Sequence, residues 1–227
     1  MEQKFIVIEG IDWSWKTTQV NELKKFYEAS WKKVLVLDYP RYDEPITIGV
    51  KRYLNWEYWD IKNVSIYQAS ILYAMDRLDN YLKNLKSIWN DYDVILGNRY
   101  TTSNLIHQWW KLLEILNSRW YLEDEEITNW TMFEFKNWLE DLEYRDLSLP
   151  IPTKVIFLDV AENISLKNIE ERWNKKDLHE TKDHLQWAYE AAKFWSDNLP
   201  TWEKINCLSS GKMKDIKLIT KEIIEKI

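Results

Sequence analysis

The stretch KFIVIEGIDWSWKTT, residues 4–18, decides the fold of this chain. Its first half is a short run of β-branched and apolar residues, which predicts a buried β-strand over residues 4–9. A polar turn follows, and helical spacing of apolar residues then extends over residues 17–30. A strand that leads through a turn into a helix is the repeating unit of proteins with a parallel sheet.

The same alternation continues through the rest of the chain. The other predicted strands are residues 33–38, 93–97, 154–160 and 204–208. The other predicted helices include residues 65–88, 181–198 and 212–226. This alternation indicates an α/β fold, a five-stranded parallel sheet with helices on both faces. No repeat, low-complexity block or glycine-serine linker interrupts it, so we expect a single domain over residues 1–227.

Composition narrows the class of protein. Of the 227 residues, 45% are hydrophobic and 30% are charged, and no apolar run approaches the ~18 residues of a membrane span. We therefore expect a soluble globular chain without a membrane partner. The first residues show no export-signal pattern and Cys207 is the only cysteine, which favours a reducing compartment such as the cytoplasm. A formal net charge of -6 argues against a general nucleic-acid partner.

The balance of glycine and tryptophan is inverted. The chain has 4 glycines and 15 tryptophans, whereas glycine ordinarily makes up about 7% of residues. Several tryptophans, such as Trp31 and Trp59, stand where a helix or turn ends and glycine would supply a positive φ. Our hypothesis is that many of them replace glycines. The alternative is an aromatic-rich core or ligand surface.

The turn after the first strand carries a chemical motif. Residues 10–18, GIDWSWKTT, nearly match the phosphate-binding loop G-x-x-x-x-G-K-[ST]. Gly10, Lys16 and Thr17 keep their places, but Trp15 stands at the second glycine. In such a loop backbone N–H groups converge on phosphate oxygens at a helix N-terminus. The lysine neutralises phosphate charge and the hydroxyl binds magnesium.

The whole chain then resembles one family. IEGIDWSWKTTQ, residues 8–19, resembles the IEGxDGSGKTTQ opening of thymidylate kinases, which transfer the γ-phosphoryl group of ATP to dTMP. Further segments resemble family motifs in the same order, and they are Tyr39-Pro40-Arg41, Tyr73 with Arg77, Asn98-Arg99-Tyr100, His107-Gln108-Trp109 and Arg172. The resemblance implies a P-loop kinase fold with a lid at about residues 168–184. It also suggests a homodimer formed through helices.

The resemblance further implies ATP and Mg²⁺ as cofactors, dTMP as the acceptor, and a set of site residues. The catalytic residues would be Asp12, Lys16, Arg99 and Arg172. Those binding ATP would be Gly10, Ser14, Lys16, Thr17 and Thr18, with Thr17 also holding the metal. Those binding dTMP would be Arg41, Tyr73, Arg77, Arg99 and Gln108. Purely structural roles remain alternatives for some of these residues. They are surface ion pairs for Arg41 and Arg77, core packing for Tyr73 and a solvated helix for Arg172.

Departures from the family pattern bear on activity. Trp13 and Trp15 replace both glycines of the loop, and Trp109 replaces a third glycine. Asn98 replaces an aspartate, which we expect to leave Arg99 without that carboxylate as a partner and any nearby magnesium with one anionic contact fewer. We therefore expect a thymidylate-kinase-like scaffold in which phosphoryl transfer is severely impaired or lost. The alternatives are an active dTMP kinase with an adapted loop and a dTMP-binding module without catalysis.

Overall fold

The predicted parallel sheet forms at the centre of the protein. The structure, a computed structural model, describes residues 3–58, 64–118, 125–161 and 182–227. The strands of its sheet are β1 (Lys4–Glu9), β2 (Val34–Asp38), β3 (Val94–Asn98), β4 (Lys154–Asp159) and β5 (Trp202–Asn206). The order is β2-β3-β1-β4-β5 and every pairing is parallel. The α/β fold predicted from the sequence is confirmed.

Helices cover both faces of this sheet. Those in the described residues are α1 (Lys16–Ala29), α2 (Ile48–Leu54), α3 (Ile66–Asn80), α4 (Thr102–His107), α5 (Trp109–Ser118), α6 (Glu125–Glu140), α7 (Lys182–Asn198) and α8 (Ile216–Ile224). Phe5 and Val7 of β1 enter one hydrophobic core, whereas Ile6 and Ile8 enter another. Because side chains alternate along a strand, this split shows that both faces of the sheet are buried.

The last predicted helix is wrong over residues 212–215. Two short strands, β6 (Leu208–Ser209) and β7 (Lys212–Met213), form an antiparallel pair there. The helix begins only at Ile216, because the Asp215 carboxylate accepts a 2.9 Å hydrogen bond from the Lys217 backbone N–H and caps the first turn. The fifth strand was predicted over residues 204–208, whereas β5 spans Trp202–Asn206. Leu208 belongs to the β6–β7 hairpin instead.

Tryptophans hold backbone conformations that suit glycine. Trp13, Trp15, Trp31 and Trp56 have φ values of 66°, 64°, 60° and 61°. A side chain in this left-handed region costs about 1–2 kcal/mol, a cost that glycine avoids. The glycine hypothesis therefore agrees with the structure at these positions, and Trp59 lies outside the described residues. Other tryptophans follow the aromatic-core alternative, because Trp109 and Trp195 are buried against one another and against Phe194.

Candidate active site

A cavity of about 590 Å³ opens at the carboxyl ends of β1, β2 and β3. Parallel sheets bind ligands at this edge. The predicted site residues that line it are Asp12, Ser14, Lys16, Thr17, Thr18, Tyr73, Arg77 and Arg99. The substituted positions Trp13, Trp15 and Asn98 line the same cavity. The donor residues expected from the sequence, except Gly10, and part of the acceptor set thus line one cavity.

The loop between β1 and α1 keeps the backbone torsions that glycines normally supply, at Trp13 and Trp15. A Cβ at Gly10 would collide with the Ser14 hydroxyl, so that position requires glycine. Trp15 is the N-cap residue of α1, and its indole makes no capping hydrogen bond to the first turn in the described part of the chain. The first N–H groups of the helix therefore remain available for an anion. At Trp13 and Trp15 the loop therefore has the backbone torsions of a glycine loop but carries indole side chains.

Lys16 lies beneath this loop with its ammonium group buried. Its Nζ donates to the carbonyl oxygens of Gly10, at 3.1 Å, and Ile11, at 2.8 Å. Burial and the nearby Arg99 guanidinium lower the pKa of Lys16 to about 7. Nearby carboxylates oppose this lowering of the pKa, and a phosphate bound at the loop would add further negative charge beside the ammonium group.

Arg99 follows β3 with a positive φ of 64° and has a charged partner. Its guanidinium donates to the Asp12 carboxylate and, at 2.6 Å, contacts His107 Nε2. Arg99 therefore has a charged partner although residue 98 is an asparagine, because this carboxylate comes from the loop after β1. The Asp12–Arg99 pair links that loop to the end of β3 at the cavity.

Asn98 bridges two groups that suit magnesium. Its Nδ2 donates to Asp38 Oδ1 at 2.8 Å and to Thr17 Oγ1 at 3.1 Å, while its buried Oδ1 has no hydrogen-bond partner among the residues that the structure describes. Burial raises the pKa of Asp38, although the hydrogen bond from Asn98 opposes the shift. Mg²⁺ prefers one or two carboxylates together with substrate phosphates. Thr17 and Asp38 fit that pattern, whereas no cluster of three His, Cys, Asp or Glu ligands occurs in the described residues.

The acceptor residues are only partly gathered at the cavity. Arg41 turns away from it, because its guanidinium donates to Asp76 and Asp79 at 2.8 Å each. Gln108 is buried and accepts a 3.4 Å hydrogen bond from the Tyr53 hydroxyl. Arg172 lies outside the described residues, as does the predicted lid up to residue 181, and residues 182–184 are helical. The roles of these residues stay predictions.

Arg77 lines the cavity but is held by a carboxylate that the sequence did not reveal. Its Nε and Nη2 donate to Glu143 at 2.6 and 2.5 Å, and Thr101 donates to the same carboxylate at 2.8 Å. Both charges are buried. Glu143 lies 66 residues further along the chain, so no local pattern indicates the pair. The pair fixes the guanidinium at the cavity wall.

Glu9 at the end of β1 is a second carboxylate that sequence reasoning missed. It is buried, and it accepts hydrogen bonds from the hydroxyls of Thr102, at 2.6 Å, and Ser103, at 2.7 and 2.9 Å. Burial raises its pKa. Glu9 thereby ties the segment after Arg99 to the strand that carries the phosphate-binding loop.

Comparison with known proteins names the family. A family model described as thymidylate kinase matches residues 8–125, which is more than half of the chain. The chain belongs to the thymidylate kinase family. A thymidylate kinase of Mycobacterium tuberculosis is 26% identical over 161 residues, 70% of this chain and 67% of the relative. A probable thymidylate kinase of Pyrococcus horikoshii is 27% identical over 172 residues, 76% of this chain and 72% of the relative.

Solved structures of thymidylate kinases share the fold. The Candida albicans enzyme superposes with a TM-score of 0.65 at 19% identity, covering 99% of this chain and 91% of its own. The Ehrlichia chaffeensis enzyme gives 0.62 at 16% identity, covering 100% of this chain and 99% of its own. The sheet and the helices on it are thus those of a P-loop kinase. Among the described residues, no helix is both long enough and apolar enough to span a membrane.

Proposed function

We propose that this protein is a dTMP kinase scaffold that binds ATP with Mg²⁺ and dTMP in one cavity, and that Trp13, Trp15 and Asn98 strongly slow phosphoryl transfer. The observation that carries the proposal is that the two loop tryptophans line the cavity that also holds Lys16 and Arg99. The scaffold keeps the positive charges, while two indole side chains take part in lining the cavity that would hold the phosphates.

The donor half retains its electrostatic groups. Lys16 and Arg99 both face the cavity, and Asp12 holds the Arg99 guanidinium. Preorganised positive groups of this kind stabilise the charge that develops as a phosphoryl group is transferred. Bound Mg²⁺ would neutralise phosphate charge beside Thr17 and Asp38. These residues position the donor; no proton has to leave Lys16 for that role.

The two indoles oppose this arrangement through volume. Trp13 and Trp15 pack partly against opposite hydrophobic cores, so each ring is anchored on one side of the loop. Because both rings also line the cavity, we infer that a phosphate chain bound there would have to displace them or bind at a shifted place. Overpacking costs about 1–3 kcal/mol, and a shift of about 1 Å at the reacting atoms reduces rate roughly 100-fold.

The acceptor half supports dTMP binding in its own right. Tyr73, Arg77 and Asn104 line the cavity, and their ring, guanidinium and amide are chemical groups of the kinds that stack on or hydrogen-bond to a base. Trp109 packs on Phe194 and Trp195 rather than on the cavity wall. The binding-module alternative therefore has a specific observation in its favour. Arg99 is better placed than Arg41 to meet the acceptor phosphate, because Arg41 is held by Asp76 and Asp79.

A homodimer belongs to the same proposal. Tyr67, Ile71 and Met75 stand four residues apart on α3 and are exposed, and residues at this spacing share one helix face. Burial of the stripe against a second copy would remove it from water. Light scattering should give a dimer mass that falls to the monomer mass in Ile71→Glu. We also propose a cytoplasmic location, supported by the buried free thiol of Cys207.

The kinase proposal is tested by forming dTDP from ATP, Mg²⁺ and dTMP under single-turnover conditions. The chain as it stands should react slowly, and Trp13→Gly with Trp15→Gly should react at least about 100-fold faster. Trp31→Gly, a change of the same kind outside the cavity, serves as the matched control and should leave the rate unchanged. A fast reaction in the unaltered chain would favour the adapted-loop alternative. Absence of reaction in all three, with dTMP still bound, would favour the binding module.

A further inference from the structure

A chain of hydrogen bonds leads from Arg99 into the protein through two histidines. Arg99 Nη1 lies 2.6 Å from His107 Nε2, and His107 Nδ1 lies 3.1 Å from His184 Nε2. An arginine guanidinium only donates. His107 Nε2 must therefore accept, which places the proton of this ring on Nδ1. That proton is donated to His184 Nε2, so His184 carries its own proton on Nδ1.

The contact between the two imidazoles is a hydrogen bond rather than a stack. The ring planes differ by 5° and the ring centroids lie 5.4 Å apart. This separation exceeds the 3.1 Å nitrogen-nitrogen distance by about two ring radii, so the nitrogens lie on the line that joins the centroids. With the planes also parallel, the Nδ1–H of His107 points along the lone pair of His184.

Both imidazole rings must be neutral for this series of hydrogen bonds, and burial favours the neutral form. His107 is 7% exposed and His184 is 3% exposed. Burial also lowers the pKa of His184 to about 4. Protonating His107 Nε2 would set two donors against each other, and protonating His184 Nε2 would remove its acceptor.

His184 selects the useful tautomer of His107. Without the acceptor on His184, His107 in its present form would lose the hydrogen bond that its buried Nδ1–H makes there. The other tautomer would turn an N–H toward the Arg99 guanidinium and break that contact. His184 stands in the first turn of α7, so an element distant in sequence determines how Arg99 is held.

Resting on the proposed function, we propose that His184 is a positioning residue that acts through His107 to hold Arg99 in place for phosphoryl transfer. His107 supplies the acceptor for Arg99 opposite the Asp12 carboxylate. The two contacts together leave the guanidinium one orientation at the cavity wall.

The test compares His184→Gln with His184→Leu. Glutamine places its amide oxygen near the position of Nε2 and keeps an acceptor, whereas leucine keeps the bulk and removes it. Nitrogen-15 spectra of labelled histidine report the tautomer of His107 without any need for turnover. We expect the Nδ1–H form in the unaltered chain and in His184→Gln, and its loss in His184→Leu. The same Nδ1–H form in His184→Leu would overturn the proposal.

A second experiment measures the single-turnover rate of phosphoryl transfer, with the His184 variants introduced into the Trp13→Gly, Trp15→Gly protein. His184→Leu should lower the single-turnover rate about tenfold with little change in the KM values, and His184→Gln should restore most of it. In a His107→Gln background, where no tautomer has to be selected, adding His184→Leu should have a much smaller effect. Equal rate losses in both backgrounds, or no rescue by glutamine, would overturn the proposal. If no variant forms dTDP while the tautomer changes as expected, the kinase function fails and the tautomer control by His184 stands.

Discussion

Replacing Trp31 by glycine should make the protein more stable, although it removes the largest side chain in favour of the smallest. Trp31 lies just beyond the C-terminal end of α1 with a φ of 60°, and the N–H groups of Trp31 and Lys32 donate to the carbonyls of Glu28, at 3.0 Å, and Tyr27, at 3.1 Å. This pattern is the helix-ending motif in which glycine normally takes the left-handed position. Trp31 is 95% exposed, so its ring contributes almost no packing.

The magnitude follows from two opposing terms. Relief of the left-handed strain is worth about 1–2 kcal/mol, and the greater freedom of glycine in the unfolded chain costs about 0.5–1 kcal/mol. The net gain is about 0.5–1 kcal/mol in the free energy of unfolding. In a protein of this size such a gain raises Tm by roughly 1–4 °C.

The matched control is Trp130→Gly in α6. Trp130 is also exposed, at 63%, but it lies inside a helix and has no positive φ. Glycine there should lower the free energy of unfolding by about 0.5 kcal/mol or more, because helix interiors disfavour it. Urea unfolding followed by circular dichroism measures both variants. Equal destabilisation by the two changes would refute the reasoning that Trp31 occupies a glycine position.

The other predictions concern the cavity. Lys16 has a pKa of about 7 in the free chain, and a bound phosphate should raise it. Below that pH the ammonium is already charged, whereas above it binding must take up a proton, so ATP affinity should fall by up to about tenfold per pH unit toward alkaline pH. Calorimetry in buffers of different ionisation enthalpy should detect the proton, and its absence at pH 8 would contradict the buried ammonium. Asn98→Asp sets a second carboxylate against Asp38, so it should lower the Mg²⁺ concentration needed for half-maximal rate; an unchanged Mg²⁺ requirement would show that this pair does not face the metal. Arg77→Ala should lower the free energy of unfolding by about 3–5 kcal/mol because it leaves Glu143 buried and unpaired, and Arg77→Ala with Glu143→Leu should recover part of that loss in urea unfolding.

The sheet and the phosphate-binding loop could be predicted because their signals are local. The apolar run of residues 4–9 and the spacing of Gly10, Lys16 and Thr17 are contained in one short stretch. The left-handed positions could also be anticipated, since Trp31 stands where a helical pattern ends. The hairpin that displaces the start of α8 could not, because its strands are only two residues long.

The hydrogen-bond partners of the site residues could not be predicted from the sequence, for a different reason. Glu143 meets Arg77 across 66 residues and His184 meets His107 across 77 residues, so only the folded chain brings them together. Arg41 shows the converse, because its place in the sequence matches the family while its guanidinium is bound by Asp76 and Asp79. Spacing along the chain indicates which residues approach the cavity, whereas their hydrogen-bond partners depend on tertiary packing.

The central claim is that the indoles of Trp13 and Trp15, rather than a collapsed backbone, obstruct the nucleotide. The measurement that tests it most directly is a calorimetric titration of ATP with Mg²⁺ into the unaltered chain and into Trp13→Gly with Trp15→Gly. We expect roughly five- to 150-fold tighter binding in the double variant, because removing the rings relieves about 1–3 kcal/mol of overpacking while the loop keeps its torsions. Equal affinity in the two folded chains would contradict it.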